Sequence, residues 1–309
     1  MNEQNVVLCV GEVTLDDVVV EDRHVHWKQA GGGALYSAIG ASLWTNSAIC
    51  STVGRDYPQF LLDKISSLGI DTSAVNQTSE CGSLGLWLLY EESGARHQFE
   101  KAVGGTFQQL DALRPQIGQL SYLPAGVHLA PQSSAGHLEG LREMKFSSAQ
   151  VTLDILVERY IDTSMYMQPD FLNRANAFLP SSTEVLALWG HENIVALQKE
   201  LSRLGFDGIL VIKRGANGVD VATSSEIVNV PAVPVKLLDV TGAGDAFCGG
   251  FLAGLISKGD PIAAAAQGVV SASFVVETRG AIAALESMDK GRAEIRLDTV
   301  LKSLRRRTW

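Results

Sequence analysis

The sequence predicts an α/β protein: a three-layer α/β/α body around a mostly parallel sheet, with a small β lid. Three observations lead there. Short apolar runs bounded by turn residues alternate with helical patterns along most of the chain. Two stretches break that alternation and read as hairpins. The 309 residues are 46% hydrophobic and 19% charged, enough apolar material for a sizeable core and too little charge for a disordered chain.

Val6 to Val10 reads as the first strand and ends at Gly11. Asp17 to Trp27 reads as two β-like runs around Glu21-Asp22-Arg23-His24. Ser47 to Val53 is a further strand, followed by a helix over Gln59 to Leu68 that stops at Gly69. Leu84 to Tyr90 and Ala95 to Val103 flank Glu91-Glu92-Ser93-Gly94 as a second hairpin. Gly126 to Ala130, Val151 to Ile155, Ala177 to Leu179 and Gly208 to Ile212 are short strands with helical segments between most of them. The hairpin Gly218 to Thr223 and Glu226 to Val233 is expected to extend an edge of the main sheet. Pro261 to Val276 is broken by Gln267, Gly268, Ser271 and Ser273, so it reads as a buried helix and not as a membrane span. No repeat, low-complexity tract or linker divides the chain. The expectation is one domain over 1–309 with lid segments at about 17–28 and 84–103.

A net charge of −9 carries no basic footprint for nucleic acid. The one basic cluster, Arg305 to Arg307, reads as a solvated tail. Cys9, Cys50, Cys81 and Cys248 are widely spaced and form no C-x-x-C, so neither a zinc site nor a disulfide framework is expected. Met1 to Asn5 carries no basic stretch before the first strand, and a cytoplasmic protein without a signal peptide is expected. The six histidines are scattered without metal spacing; His97 and Phe99 alternate on the second hairpin as a substrate-facing pair would.

The chemistry concentrates in Asp239-Val240-Thr241-Gly242-Ala243-Gly244-Asp245-Ala246-Phe247, which leads into a helix-like run over Ala246 to Ile256. Glycines at a helix start let the backbone turn sharply and approach a ligand, and the first N–H groups of a helix have no internal partner. With the helix dipole they make an anion site. A carboxylate beside an anion site repels phosphate, yet it suits the removal of a proton from an attacking hydroxyl. The alternative is a glycine turn with Asp as an ordinary cap.

The long flanking context, running on through Cys248-Gly249-Gly250-Phe251, resembles the ribokinase-like (PfkB) family signature Asp-Thr-x-Gly-Ala-Gly-Asp-x-Phe. The resemblance implies a Rossmann-like, ribokinase-like fold and an ATP-dependent carbohydrate kinase. In it Gly242, Ala243 and Gly244 form the anion hole and Asp245 is the catalytic base. Asp239 and Thr241 match positions that hold a monovalent cation in several relatives, which makes K+ a candidate ion. Gly31-Gly32-Gly33-Ala34-Leu35-Tyr36 resembles the glycine pair that opens the substrate-side helix, with Tyr36 where many members have Asn; a plain turn is the alternative. Gly11 to Asp16 resembles the opening strand and its substrate-binding Asp, here Asp16, which otherwise begins a solvated hairpin.

Ser181-Ser182-Thr183-Glu184 resembles the family's Asn-x-x-Glu segment, with Glu184 kept and Ser181 in place of Asn. Lys213, Gly215 and Gly218 match the nucleotide-side strand and loop; Lys213 is otherwise a solvent-facing lysine at a strand end. Ser271 to Ala284 matches the helix and loop beside adenine, where Gly280 lets the chain pass close. The implied cofactors are ATP and Mg2+, and the implied partner is a small sugar, sugar acid or polyol. A nucleoside, stacked on Tyr36 or Trp27, is the alternative within the fold, and a non-catalytic nucleotide or sugar sensor is the alternative outside enzymes. A homodimer through the lid follows from exposed lid strands, since open sheet edges invite pairing. No Walker motif and no dinucleotide fingerprint is present, which argues against other phosphate sites and against a dehydrogenase.

Overall fold

Buried on both faces, Val6–Val10 is the strand from which the main sheet grows. The computed structural model describes residues 6–20, 24–91, 96–101, 111–120, 122–132, 134–143, 148–157, 162–223 and 226–308. In chain order the first strands and helices are β1 (Val6–Val10), β2 (Thr14–Val20), β3 (His24–Gly31), α1 (Gly33–Ser42), β4 (Asn46–Val53), α2 (Gln59–Ser67), β5 (Ile70–Gln77), β6 (Leu86–Tyr90) and β7 (Arg96–Glu100). Then come β8 (Gly126–Leu129), α3 (Ser134–Glu143), β9 (Gln150–Leu153), β10 (Ala177–Phe178), α4 (Ser182–Trp189), α5 (Ile194–Arg203), β11 (Ile209–Lys213), β12 (Val219–Ala222) and β13 (Glu226–Val230). The chain closes with α6 (Ala243–Lys258), α7 (Pro261–Val275), α8 (Ala281–Ser287), α9 (Lys290–Lys302) and β14 (Arg305–Thr308).

The large sheet runs β14-β13-β12-β11-β10-β9-β8-β1-β4-β5. From β11 to β5 every pairing is parallel; β12, β13 and β14 add on antiparallel. Alternation along the strands sorts the core. Leu8, Val10, Val127, Leu129, Leu153, Phe178 and Leu210 face Leu141, Val185, Leu197 and Leu201, which lie on α3, α4 and α5. Val7, Cys9 and Ile49 face the opposite layer, built from α1, α2 and α6 with α7 behind. A second sheet, ordered β3-β2-β6-β7, stands apart as the lid. Leu88, Tyr90 and Val18 pack on its inner face.

Local chemistry sets the helix ends. Asp260 accepts from the Ile262 N–H at 2.9 Å and Pro261 takes the first position of α7, both ordinary start signals. Gly259, at φ 66°, ends α6 in the left-handed region. Helices α1 and α6 meet almost backbone to backbone. A Cβ on Gly40 would fall 2.0 Å from the Ala246 carbonyl oxygen, and one on Gly249 would fall 1.8 Å from the Ser37 carbonyl oxygen. Ser271 on α7 braces the pair, donating to the Gly40 carbonyl and accepting from Trp44 Nε1, both at 2.8 Å.

Several expectations change. Arg305 to Arg307 is not a loose tail: it forms β14, paired antiparallel with β13, with Arg306 on Glu226 and Arg307 on Asp220. The edge hairpin is therefore not outermost. At the other edge β5 was not foreseen, because an edge strand with half-exposed side chains lacks the continuous apolar run of a central one. The lid begins at Thr14 and reaches Gly31, a few residues beyond the expected span. The turns expected at Glu21-Asp22-Arg23 and Glu92-Ser93-Gly94, the Ala102-Val103 end of the lid, and Met1 to Asn5 lie outside the described residues. No helix among the described residues is long and apolar enough to cross a membrane. All four cysteines are buried and free.

Gly249→Ala should push α1 from α6, lowering stability by about 1–3 kcal/mol as overpacking does. A urea midpoint below that of wild type is the expected outcome.

Candidate active site

Because α1 and α6 touch, their N-termini open side by side at the carboxyl end of β1 and β8. A Cβ on Gly33 would meet Asp245 Oδ1 at 3.2 Å and the Ala130 and Pro131 side chains at 3.3 Å. The two glycine motifs, more than two hundred residues apart in sequence, are thereby brought together with Asp245 between them. Gly242, at φ 76°, precedes α6 and has the Tyr36 ring against it, where a Cβ would lie 2.2 Å from the ring carbons. Tyr36 is thus packed under the turn, 5% exposed, and is not presented for stacking. Burial first, then the charges of Asp239 and Asp16, push its hydroxyl well above the ordinary tyrosine range. No side chain caps α6. The Ala243 N–H turns back to the Val240 carbonyl at 3.2 Å, so Gly244 offers the cleaner outward donor.

Beside Gly244 lies Lys213, whose Nζ would be 3.5 Å from a Cβ there. Lys213 is not solvent-facing; its side chain is 12% exposed and pairs with Asp154, itself 2% exposed. Burial alone would lower the lysine, but Asp154, Cys248 and Glu184 outweigh it and hold the ammonium charged. Glu184 sits at the start of α4 in a capping box: Glu184 Oε2 accepts from the Ser181 N–H at 2.6 Å and the Ser181 hydroxyl accepts from the Glu184 N–H at 3.3 Å. Ser in place of Asn is thereby accounted for locally, since Ser makes a good cap. Asp154 was missed in the sequence. Its signal was a carboxylate just past the end of a parallel strand, where such sheets place their ligands.

On the lid, Asp16 is 5% exposed. Its Oδ2 accepts from the Thr14 hydroxyl at 3.0 Å and its Oδ1 from the Leu86 N–H at 2.9 Å. It lies against Gly31, where a Cβ would come within 2.1 Å of Oδ2; Gly32, at φ 101°, then turns the chain into α1. Burial raises the Asp16 carboxyl to about 6, with the Thr14 and Leu86 hydrogen bonds and Lys101 opposing. Tyr90, at the end of β6, donates to Asp239 Oδ1 at 2.8 Å and lies 2.5 Å from Thr241 Oγ1. The Tyr90 hydroxyl therefore bonds one side-chain oxygen of each of the two residues whose positions the family resemblance associates with a monovalent cation.

Other expected residues fall elsewhere. Gly215 and Gly218 shape the turn two residues beyond Lys213, with φ of 54° and 79°. Gly280, at φ 84°, opens α8 with open space about it. Trp27 lies edge-on to Trp87 at 5.6 Å on the outer face of the lid, opposite Leu88 and Tyr90. His97 and Phe99 are also on that face, His97 beside Glu91 at 2.8 Å. A groove of about 1010 Å³ between Asn193 and Arg305 contains none of the residues gathered around Asp245. Among the described residues no group of three or more His, Cys, Asp or Glu side chains is placed to hold a metal by itself.

Comparison with known proteins agrees with this architecture. The pfkB family carbohydrate kinase profile matches residues 4–288. Cytidine kinase of Thermococcus kodakarensis is 28% identical over 266 residues, 83% of this chain and 90% of that one. The 2-dehydro-3-deoxygluconokinase of Escherichia coli is 29% identical over 259 residues, 77% of this chain and 83% of that one. Among solved structures, a fructokinase from Vibrio cholerae with fructose, ADP and calcium bound superposes with TM-score 0.75 at 19% identity, covering 96% of this chain and all of that one. A nucleoside kinase from Methanocaldococcus jannaschii gives TM-score 0.74 at 19% identity, covering 96% and 98%. These structures share the fold. With a family profile spanning nearly the whole sequence, the chain belongs to the pfkB family of carbohydrate kinases.

Proposed function

We propose that this kinase transfers the γ-phosphoryl group of ATP to a hydroxyl of a small sugar, sugar acid or polyol held under the lid, with Asp245 as the general base. The observation that carries the reading is the convergence at Gly33: the base lies beside the start of α1, while Lys213 lies beside Gly244. Asp245 takes the proton of the attacking hydroxyl as the new O–P bond forms and the bond to the β-phosphate oxygen breaks. Gly242 to Gly244 and Lys213 face the negative charge on the transferring group. Asp16 and the backbone at Gly31 to Gly33 line the acceptor side, with Tyr36 bracing the turn. Gly215, Gly218 and Gly280 shape the nucleotide side.

Magnesium fits beside Glu184 and Asp154, because it keeps most of its waters and the nucleotide phosphates and needs only one or two carboxylates. It would neutralise phosphate charge there. A lid that lies down over these groups excludes water and suppresses idle ATP hydrolysis. Four buried free thiols fit a reducing cytoplasm. A nucleoside acceptor is the second reading, favoured by the similarity to a cytidine kinase.

Dimerisation through the lid is a further part of this reading. Val25, Trp27 and Phe99 are 44%, 59% and 55% exposed on the outer face, and β3 and β7 are the edges of that sheet. A second copy, covering the same face by two-fold symmetry, would bury them.

The deciding measurement is ADP release from Mg-ATP across sugars, sugar acids, polyols and nucleosides including cytidine. Asp245→Asn should bind ATP and lose about a thousandfold or more in kcat. Near-wild-type turnover by that variant would remove Asp245 from the role, and ATP binding without turnover on any acceptor would leave a sensor.

Acceptor affinity should also depend on pH. Ionised Asp16 accepts from substrate hydroxyls, so KM for the acceptor should fall as pH rises through about 6, and Asp16→Asn should flatten that limb. Stability moves the other way. A carboxyl raised by folding contributes most at low pH, and that contribution is lost as pH rises through about 6.

Trp27→Lys should convert the protein to monomer in sedimentation velocity. An unchanged sedimentation coefficient would place the interface elsewhere.

A further inference from the structure

Tyr90 joins three parts of the molecule. Its ring packs with Val18 and Leu88 on the inner face of the lid. Its hydroxyl reaches Asp239 and Thr241, in the loop that enters the Gly242 turn. The Arg279 guanidinium lies 5.6 Å from the centroid of its ring, one residue before Gly280. The two loops are themselves joined, since the Leu238 N–H donates to the Val276 carbonyl at 2.7 Å.

The donor and acceptor roles at the hydroxyl follow from its two hydrogen bonds to this loop. A carboxylate only accepts, and a tyrosine has one proton to give. Tyr90 therefore donates to Asp239 Oδ1, and the Thr241 hydroxyl donates to Tyr90. The Thr241 N–H adds a second donor to Asp239 Oδ1 at 2.8 Å. Asp239 is 6% exposed, and a carboxylate so deep needs charge-assisted hydrogen bonds or a cation. Here the hydrogen bonds are present: one comes from the lid, through Tyr90, and one from the loop's own Thr241 N–H. A monovalent cation at Asp239 Oδ1 and Thr241 Oγ1 would have to displace the phenol, and with it the end of β6.

We propose that Tyr90 is a positioning residue of the kinase: its hydroxyl, in place of a monovalent cation, satisfies Asp239 and Thr241, so that closing the lid and ordering the Gly242–Gly244 turn are a single event. On the phosphoryl-transfer reading above, capture of the acceptor beneath the lid then sets the phosphate donors at the same moment. The lid carries the ordering group itself, and catalysis does not call for K+.

Tyr90→Phe keeps the ring and its packing and removes only the hydroxyl, so it tests the contact without emptying the core. In the protein without ligands, amide exchange over 86–90 and 238–244 should be about tenfold faster in Tyr90→Phe than in wild type. The wild-type thermal midpoint should be the same in potassium chloride as in choline chloride at equal ionic strength, since nothing binds K+ to stabilise the native state. With whichever acceptor turns over, Tyr90→Phe should lose about tenfold in kcat with little change in KM for ATP, and wild-type rates should be indifferent to K+. Wild-type exchange rates in Tyr90→Phe, or a K+-specific rise in the wild-type midpoint or rate, would overturn the proposal. Absence of turnover in both proteins would count against the kinase reading instead, and the exchange and melting data would still decide the role of Tyr90.

Discussion

Helices α1 and α6 touch through their backbones at Gly40 and Gly249, and the geometry of the site hangs from that contact. Packed helices ordinarily keep their axes about 8–10 Å apart because side chains stand between them. Removing those side chains lets two N-termini open next to one another at the same end of the sheet. One end brings the Gly31–Gly33 turn and the other brings Gly242–Gly244 with Asp245. Neither glycine motif makes a phosphoryl-transfer site alone. Side by side they bring the Asp245 carboxylate to the start of α1, with Gly244 and Lys213 next to it, which is the arrangement the proposed transfer uses. Ser271, on α7, and Trp44, just past the end of α1, brace the pair, so the spacing is held by packing and hydrogen bonds together.

Charge is arranged around that frame with little left unpaired. Lys213 is the cation beside the donor turn, and Asp154 keeps it charged where burial would otherwise neutralise it. A buried ion pair of this kind adds little net stability, because desolvation offsets most of the attraction. Its value is positional: the ammonium is fixed next to Gly244 and already desolvated, as the proposed phosphate site requires. Glu184 is held the same way, one oxygen tied to its own helix cap. On the lid, Asp16 is pinned by Thr14 and Leu86, and Lys101 pairs with Asp17 on the outer side at 2.7 Å. The same small sheet thus has an inner face that reaches the chemistry through Tyr90 and an outer face rich in exposed aromatics.

Much of this was legible in the residues. A central strand buried on both faces must be apolar throughout, so β1 could be read off Val6 to Val10 without error. Helix α7 was legible as the apolar run Pro261 to Val276 with its polar interruptions. The segment from Asp239 to Phe247 was legible through its long flanking context, since the glycines and the carboxylate taken alone could equally be a turn with an ordinary cap. Edges were harder. β5 and β14 each have one neighbour and exposed side chains, so their sequences need not look like strands, and three consecutive arginines look like a tail.

What the sequence determined alone were the local commitments: which central runs are strands, and that the Gly242–Gly244 turn and Asp245 lead into a helix, though it placed the helical run from Ala246 and the structure starts α6 at Ala243. Those follow from propensity, periodicity and turn chemistry, which act over a few residues. Tertiary structure decided who meets whom. Lys213 finds Asp154 across 59 residues, and Tyr90 finds Asp239 across 149. It also turned Trp27 and Phe99 outward and packed Tyr36 beneath Gly242. No local pattern encodes such pairings, because they depend on the order of strands in the sheet and on how closely two glycine-bearing helices can approach.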